Sequence, residues 1–200
     1  MPNENIVYFG DTAHLPYGDK SESAVAHYSE KIAEFLISKN AKTIVIACNT
    51  ASSFGYDIIH KKFGDKIPIL NVIDPMASYV VDHKESSKIG VIGTKGTIRS
   101  GIYKTKIQKL NQNLEVFEKA TPLLASLVEE NFYNTQISKL ILAEYLNTAD
   151  LNGIDSIVLG CTHYPLLKKD IAAVLGESVK IFDSSEVIAQ KLKSILQENN

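Results

Sequence analysis

Short runs of β-branched and aliphatic residues recur along the chain, separated by longer segments whose apolar residues repeat every three or four positions. Continuous apolar runs are typical of strands buried on both faces of a parallel sheet, whereas the longer repeats are typical of amphipathic helices. The pattern predicts an α/β fold with mostly parallel sheets flanked by helices. The predicted strands span residues 5–10, 43–47, 68–73, 88–93, 114–117, 156–160 and 179–182.

Capping residues and helix breakers set the predicted helix boundaries. Asp19, with Glu22 three residues later, resembles a capping box and predicts the start of a helix that runs to about Lys39. A turn is predicted just before it, at Pro16 and Gly18. Further helices are predicted over residues 52–63, 76–82, 97–110, 122–146 with a break near 131–134, 166–175 and 186–197.

The two cysteines of the chain, Cys48 and Cys161, follow predicted strands in the same local pattern. Each comes one small residue after an apolar run and is followed by side chains that form hydrogen bonds. In open α/β sheets, ligands bind at the carboxyl ends of the strands. The repeated pattern predicts two similar lobes whose thiols face each other across a cleft. The first lobe would comprise residues 1–74 and 184–200, and the second residues 75–183.

Composition and charge narrow the classes of function. A hydrophobic content of 44% suits a globular protein with a substantial core, and a formal net charge of −2 offers no basic surface for nucleic acid. No apolar run reaches the roughly 18 residues of a membrane span, and the first residues lack the features of a secretion signal. We therefore expect a cytoplasmic protein with free thiols. Because Arg99 is the only arginine, an anionic substrate must be held mainly by backbone N–H groups, hydroxyls and amides.

Several interpretations of the cysteines compete. A buried cysteine at a strand end is often a small apolar residue, although two in matching polar contexts favour a chemical role. Zinc could be bound by Cys48, Cys161, His163 and a carboxylate, but the close cysteine pair of most zinc signatures is missing. The sharper hypothesis is a pair of thiol acid–base groups on opposite faces of one substrate. It expects thiolates poised near neutral pH, because nearby donors lower the thiol pKa from about 8.5.

Three segments together carry a resemblance to the glutamate racemase family, which needs no cofactor and belongs to the aspartate/glutamate racemase superfamily. The resemblance covers the whole chain, and it implies interconversion of L- and D-glutamate for peptidoglycan precursors. His163 favours the glutamate enzymes over their aspartate relatives, which usually carry a glutamate there. The segments are Ala47–Ser52 (ACNTAS), Gly160–Pro165 (GCTHYP) and Tyr8–Thr12 with Pro16–Gly18, and weaker matches lie at Gly90–Thr94 and Leu127–Glu129.

The resemblance also implies roles for individual residues. Cys48 would remove the α-proton of D-glutamate and Cys161 that of L-glutamate, with His163 as the proton partner of Cys161. Neither a metal nor a cofactor is implied. The expected partners are the two glutamate enantiomers, not nucleic acid or membrane, and a homodimer is one assembly open to the chain. The implied substrate-binding residues are Tyr17, Gly18, Asn49, Thr50, Thr162 and His163, and the auxiliary residues are Asp11 and Glu129.

Structural alternatives exist for three of these residues. Asp11 could cap its loop, Glu129 could be an exposed helix residue, and Tyr17 could serve packing alone. Two further functions also stay open. One is an amino-acid-binding or interaction domain without catalysis, and the other is a racemase for aspartate or another amino acid. Exchange of the α-proton in D₂O separates catalysis from binding, because exchange requires a working base.

One departure from the family concerns its opening strand, which ends in Asp-Ser-Gly and has no counterpart here. The family also usually continues beyond the final helix of this chain. We expect the strands at residues 6–10 and 43–47 to lie in one parallel sheet next to the missing unit. We also expect the chain by itself to be nearly inactive, and to self-associate more than a form extended by that unit.

Overall fold

A computed structural model describes residues 4–83 and 87–198. Within these residues the strands form two parallel sheets, and helices pack against both. The predicted α/β class with parallel sheets flanked by helices is confirmed. None of the helices in the described part of the chain is both long enough and apolar enough to cross a membrane.

The two sheets differ in size. The smaller sheet pairs β1 (Ile44–Ile46) with β2 (Ile69–Asn71). The larger contains β3 (Lys88–Gly93), β4 (Glu115–Ala120), β5 (Ser156–Gly160) and β6 (Lys180–Phe182), in the order β4-β3-β5-β6. Its central register pairs Gly93 with Gly160. The residues that follow these glycines, Thr94 and Cys161, therefore leave the sheet at the same edge.

The helices follow the predicted order along the chain. They are α1 (Glu22–Ser38), α2 (Asn49–Phe63), α3 (Ile73–Asp82), α4 (Lys95–Arg99), α5 (Ile102–Leu110), α6 (Leu123–Glu129), α7 (Gln136–Leu146), α8 (Lys168–Leu175) and α9 (Ser185–Glu198). Short 3-10 turns lie at Thr12–His14, Tyr17–Asp19, Ala149–Leu151 and Tyr164–Leu167.

Several predicted helix boundaries are corrected by the structure, and the clearest cases are the following. The cap of α1 is Ser21, whose side chain accepts a hydrogen bond from the backbone N–H of Ala24, and not the pair Asp19 and Glu22. Helix α2 begins earlier than predicted because Cys48 itself is its N-cap. The helix predicted over residues 97–110 is divided into α4 and α5 at Gly101, which has a φ of 61°. That backbone conformation favours glycine.

The strand predicted at residues 5–10 does not form. The segment has no regular secondary structure, and its side chains are exposed, with Ile6 at 83% and Tyr8 at 87% of their maximal surface. A strand requires a hydrogen-bonded neighbour, and a local apolar pattern carries no information about whether one is present. The prediction that this segment shares a sheet with residues 43–47 is therefore wrong. The expected self-association stays a prediction.

Apolar packing is organised in three clusters. Around the small sheet, α1 and α2 pack Val25, Ala33 and Ile59 against the strands. On one face of the large sheet, α3, α5 and α9 form a second cluster, which also takes in Leu70 from β2. On the other face, α6, α7 and α8 form the third. Because Leu70 joins the second cluster, the small sheet packs in part against the same core as the large sheet. The predicted division into lobes stays a prediction.

Candidate active site

The carboxyl ends of three strands approach one another between the two sheets. Strand β1 leads into Cys48, β3 into Thr94 and β5 into Cys161. The N-terminal part of α2 packs on α4, and the pKa of Cys161 is raised mainly by burial and to a smaller extent by the charge of Cys48. The two thiols that the sequence pattern singled out therefore lie in the same region of the molecule, where Tyr103 contacts both Asn49 and the position of Gly160.

Cys48 caps the first turn of α2. Its Sγ accepts a hydrogen bond from the backbone N–H of Ala51 at 3.5 Å, and the residue is half-buried. The hydroxyl of Ser52 connects the start of α2 to the small sheet. It donates to the backbone oxygen of Ile46 in β1 and accepts from the N–H of Val72, which directly follows β2. A helix N-terminus favours a negative charge, so this position suits a thiolate electrostatically.

Three threonine hydroxyls connect the two sheets beside Cys48. The Oγ1 of Thr50 lies 2.8 Å from that of Thr94 and 3.1 Å from that of Thr97. Thr94 also caps α4 by accepting a hydrogen bond from the N–H of Thr97. Gly18 packs directly on this network, since a Cβ at Gly18 would lie 2.6 Å from the Cβ of Thr94. The network fixes the Cys48 loop relative to the large sheet.

Cys161 lies next to a histidine–carboxylate pair. The thiol is buried, with Sγ 3.6 Å from Nδ1 of His163. The other ring nitrogen, Nε2, is hydrogen-bonded to Oε1 of Glu129 at the end of α6. A carboxylate bonded to one ring nitrogen fixes the orientation of the imidazole beside the thiol. Thr162, between Cys161 and His163, is exposed.

Asp11 and Tyr17 form a second polar cluster near Cys48. The Tyr17 hydroxyl donates to Oδ2 of Asp11 at 2.6 Å, and Nδ1 of His14 lies 2.7 Å from Oδ1. Burial raises the pKa of Asp11, but the hydrogen bonds from Tyr17 and His14 outweigh it, so the pKa is lowered. Burial, followed by Asp11 and more weakly Cys48, raises the pKa of Tyr17. Tyr17 is therefore within electrostatic reach of the first thiol, and Asp11 makes no side-chain cap.

The thiol pKa values differ from the sequence-based expectation. Burial raises the pKa of Cys48 even though the N–H groups of Ala51 and Thr50 oppose the shift. Burial likewise raises the pKa of Cys161 to about 12, against the lowering effect of the backbone at His163. The expectation of thiolates poised near neutral pH is therefore wrong for the protein without substrate. The reason is that desolvation disfavours the charged form more than the nearby donors favour it.

Asn49 is buried between the Cys48 loop and the large sheet. It is 2% exposed, and its Oδ1 accepts a hydrogen bond from the hydroxyl of Tyr103 at 2.7 Å. Sequence reasoning missed Tyr103, because a tyrosine on the apolar face of α5 carries no signal beyond packing. It also missed Thr94 and Thr97, although Thr94 directly follows a buried strand end, as the cysteines do.

Both cysteines are free thiols. In residues 4–83 and 87–198, no three histidine, cysteine, aspartate or glutamate side chains are arranged so that they could hold a metal ion.

The fold and the paired strand-end thiols define a class of protein. Residues 3–192 match the Asp/Glu/Hydantoin racemase family. The chain belongs to this family, which confirms the resemblance seen in the sequence.

Individual relatives narrow the comparison further. The chain is 42% identical to a glutamate racemase of Geobacter metallireducens over 98% of its own length and 72% of the relative's. It is also similar to the crystal structure of glutamate racemase from Francisella tularensis in complex with D-glutamate, with a TM-score of 0.92 and 40% identity over 99% of this chain and 73% of that one.

A more distant neighbour is the Escherichia coli glutamate racemase in complex with L-glutamate and the activator UDP-MurNAc-ala. Its TM-score is 0.74, with 25% identity over 94% of this chain and 70% of that one.

Proposed function

We propose that this chain racemises glutamate without a cofactor, by moving protons between the α-carbon and the thiols of Cys48 and Cys161. The observation that carries the proposal is the convergence of these thiols from the ends of two strands in different sheets. Inversion of a carbon centre requires a base on one face and an acid on the other. The names of the relatives, which are glutamate racemases, support glutamate as the substrate.

The proposed cycle balances protons and electrons. The thiolate of Cys48 removes the α-proton of D-glutamate, the bonding electron pair stays on the substrate, and the thiol of Cys161 returns a proton to the opposite face. The reverse direction starts from L-glutamate at Cys161. Since one C–H bond breaks and another forms, the reaction requires no oxidant or reductant. His163, held by Glu129, would stabilise the thiolate form of Cys161.

The proposed substrate contacts use neutral donors. Asn49, Thr50 and Thr162 would bind the carboxylates and the ammonium together with Tyr17, Gly18 and His163. The raised thiol pKa values give this binding a chemical role, because they keep the thiols neutral in the free protein. An α-ammonium group next to a thiol lowers its pKa. Substrate binding would thus favour release of the Cys48 thiol proton to solvent, and the thiolate left behind would then remove the α-proton.

We also propose, from the resemblance, that the D-glutamate supplies peptidoglycan precursors and that the chain works in the cytoplasm. A homodimer is the assembly we would test first, by sedimentation equilibrium with and without glutamate. These statements concern the setting of the reaction, and the chemistry at the thiols does not depend on them.

The test is α-proton exchange in D₂O, followed by NMR with each glutamate enantiomer, together with circular dichroism for inversion. We expect loss of the α-proton signal and slow loss of optical activity, both abolished in a C48A/C161A variant. Exchange accumulates over hours, so even weak catalysis is measured. Binding of glutamate without exchange would instead identify a binding domain, and faster exchange of aspartate would overturn the substrate assignment.

A further inference from the structure

A buried hydrogen bond connects the two halves of the candidate site. Tyr103 on α5 is completely buried, and its hydroxyl donates to Oδ1 of Asn49, the residue that follows Cys48. The two residues are 54 positions apart in the sequence. This contact is distinct from the threonine network, and it ends on the amide that lies closest along the chain to the first thiol.

The hydrogen bond determines which way the Asn49 amide faces. With Oδ1 turned toward Tyr103, Nδ2 and its two N–H groups face away from it. Nδ2 is buried and has no hydrogen-bond partner in the described part of the protein. Because buried amide donors are nearly always satisfied in folded proteins, an unpaired one at a strand-end site indicates a ligand that accepts hydrogen bonds.

Tyr103 also contacts the loop of the second thiol. A Cβ at Gly160, the residue before Cys161, would lie 3.4 Å from Cε2 of Tyr103 and 2.8 Å from the backbone oxygen of Ile92. The ring thus lies at van der Waals distance from this position, while the backbone oxygen of Ile92 leaves room there only for glycine. Burial and, second to it, the charge of Cys161 raise the pKa of Tyr103, which agrees with its closeness to that thiol.

The arginine of the chain is engaged elsewhere. Nη2 of Arg99 donates to the backbone oxygen of Lys20 at 3.0 Å, and its guanidinium lies over the ring of Phe54. An anionic group between the thiols would thus depend on neutral donors. This gives weight to the unpaired amide nitrogen of Asn49, since it carries two neutral N–H donors, either of which can bind a carboxylate oxygen.

We infer that Tyr103 is a positioning residue, which holds the Asn49 amide with its N–H groups toward a substrate carboxylate between the two thiols. The inference rests on the proposed function and deepens it by assigning how one carboxylate is recognised. Without the hydroxyl, the amide can turn and present Oδ1, a hydrogen-bond acceptor that repels a carboxylate. Tyr103 thus acts on affinity through Asn49 and takes no part in proton transfer.

The first experiment observes the amide itself. In the ¹⁵N-labelled full chain, the Asn49 side-chain amide, assigned through N49A, is expected to give two sharp proton signals that shift when D-glutamate is added. In Y103F these signals should broaden or move, and the affinity for D-glutamate should fall about tenfold, the equivalent of one neutral hydrogen bond. An Asn49 amide with the same signals in both proteins would overturn the inference.

The second experiment separates positioning from general destabilisation. Y103F should raise KM about tenfold while leaving the pH profile unchanged, and Y103F should add nothing further in the N49A background. The matched control is Y145F, which removes a tyrosine hydroxyl that accepts from the N–H of Leu123 at 3.4 Å. Its effect should be additive with N49A, because the sites share no partner. Full additivity of Y103F with N49A would contradict the inference.

The two proposals fail in different ways. One outcome is that D-glutamate does not shift the Asn49 amide signals, although these signals are sharp in the parent and changed in Y103F. The glutamate assignment then fails and the positioning role is supported. If glutamate is racemised with an unchanged KM in Y103F, the proposed function is supported and the positioning role fails.

Discussion

The Sγ of Cys161 lies 3.6 Å from Nδ1 of His163, in a loop that begins directly after the central strand β5. Glu129, on α6, is hydrogen-bonded to the far side of the same ring. A chain of contacts therefore connects the buried sulfur of Cys161, through the His163 ring, to the exposed carboxylate of Glu129. Cys48 lies instead at the N-cap of α2, where its Sγ accepts a hydrogen bond from the N–H of Ala51. The two thiols are thus chemically unequal.

This inequality predicts the effect of removing the carboxylate. In E129Q, proton removal from L-glutamate should slow about 10²-fold, because the Cys161 thiolate loses its charged support. Exchange of the α-proton of D-glutamate should slow less, because Cys48 initiates it. NMR in D₂O measures both. Glu130, an exposed neighbour, provides the matched control E130Q. Equal slowing with both enantiomers, or the same loss in E130Q, would contradict a role at Cys161.

Removal of either thiol should abolish efficient inversion. C48A and C161A are each expected to lose about 10²–10⁴-fold in racemisation, since each removes the acid or base from one face. C161A should keep some exchange with D-glutamate and C48A some with L-glutamate, both without inversion. Polarimetry measures inversion and NMR measures α-proton exchange on the same samples, so exchange without inversion is detected directly. A variant that retains nearly full turnover in both directions would rule out the two-thiol mechanism.

The raised thiol pKa values predict slow alkylation near neutral pH. Only the thiolate reacts, so iodoacetamide labelling should accelerate about tenfold per pH unit above pH 7, without a plateau below pH 9. Cys161, with a pKa of about 12, should lag behind Cys48. Mass spectrometry of the two tryptic peptides gives both rates, and a small thiol of ordinary pKa serves as the reference. A plateau near pH 7 would mean that the thiols are already ionised.

The hydrogen bonds to the Asp155 carboxylate should contribute to the free energy of unfolding at neutral pH and be lost in acid. Burial raises its pKa, but hydrogen bonds from the N–H groups of Lys88 and Ser87 and from the Ser87 hydroxyl lower it below the ordinary value of 3.8. A lowered folded-state pKa means that the stabilisation is present above pH 3.8 and lost as the pH falls through the folded value. D155N should therefore cost about 1–3 kcal/mol in the free energy of unfolding at pH 7.

Urea denaturation at pH 7 and pH 3 checks this prediction. The difference between the parent protein and D155N should shrink at the lower pH. Exposed Asp65 offers the control D65N, which should change the free energy of unfolding by less than about 0.5 kcal/mol. A D155N penalty that stays constant down to acidic pH would show that side-chain shape, and not charge, is responsible.

The sequence by itself determined the α/β class, the span of β5 and the two strand-end cysteines. These features depend on local patterns, because a short β-branched run such as Ile157–Leu159 is typical of a strand in a sheet covered on both faces. The same kind of local pattern gave a wrong prediction at residues 5–10. The pattern suits a strand, but within the described residues this segment forms none.

Only the tertiary structure decided the details of the site. The bond between Tyr103 and Asn49 and the contacts of Thr50 with Thr94 and Thr97 join residues more than 40 positions apart. No local pattern encodes such pairs. The thiol pKa values also depend on the tertiary structure, because segments distant in the sequence determine how much water reaches Cys48 and Cys161. Sequence patterns thus identified the reactive groups, and long-range packing set their protonation, orientation and partners.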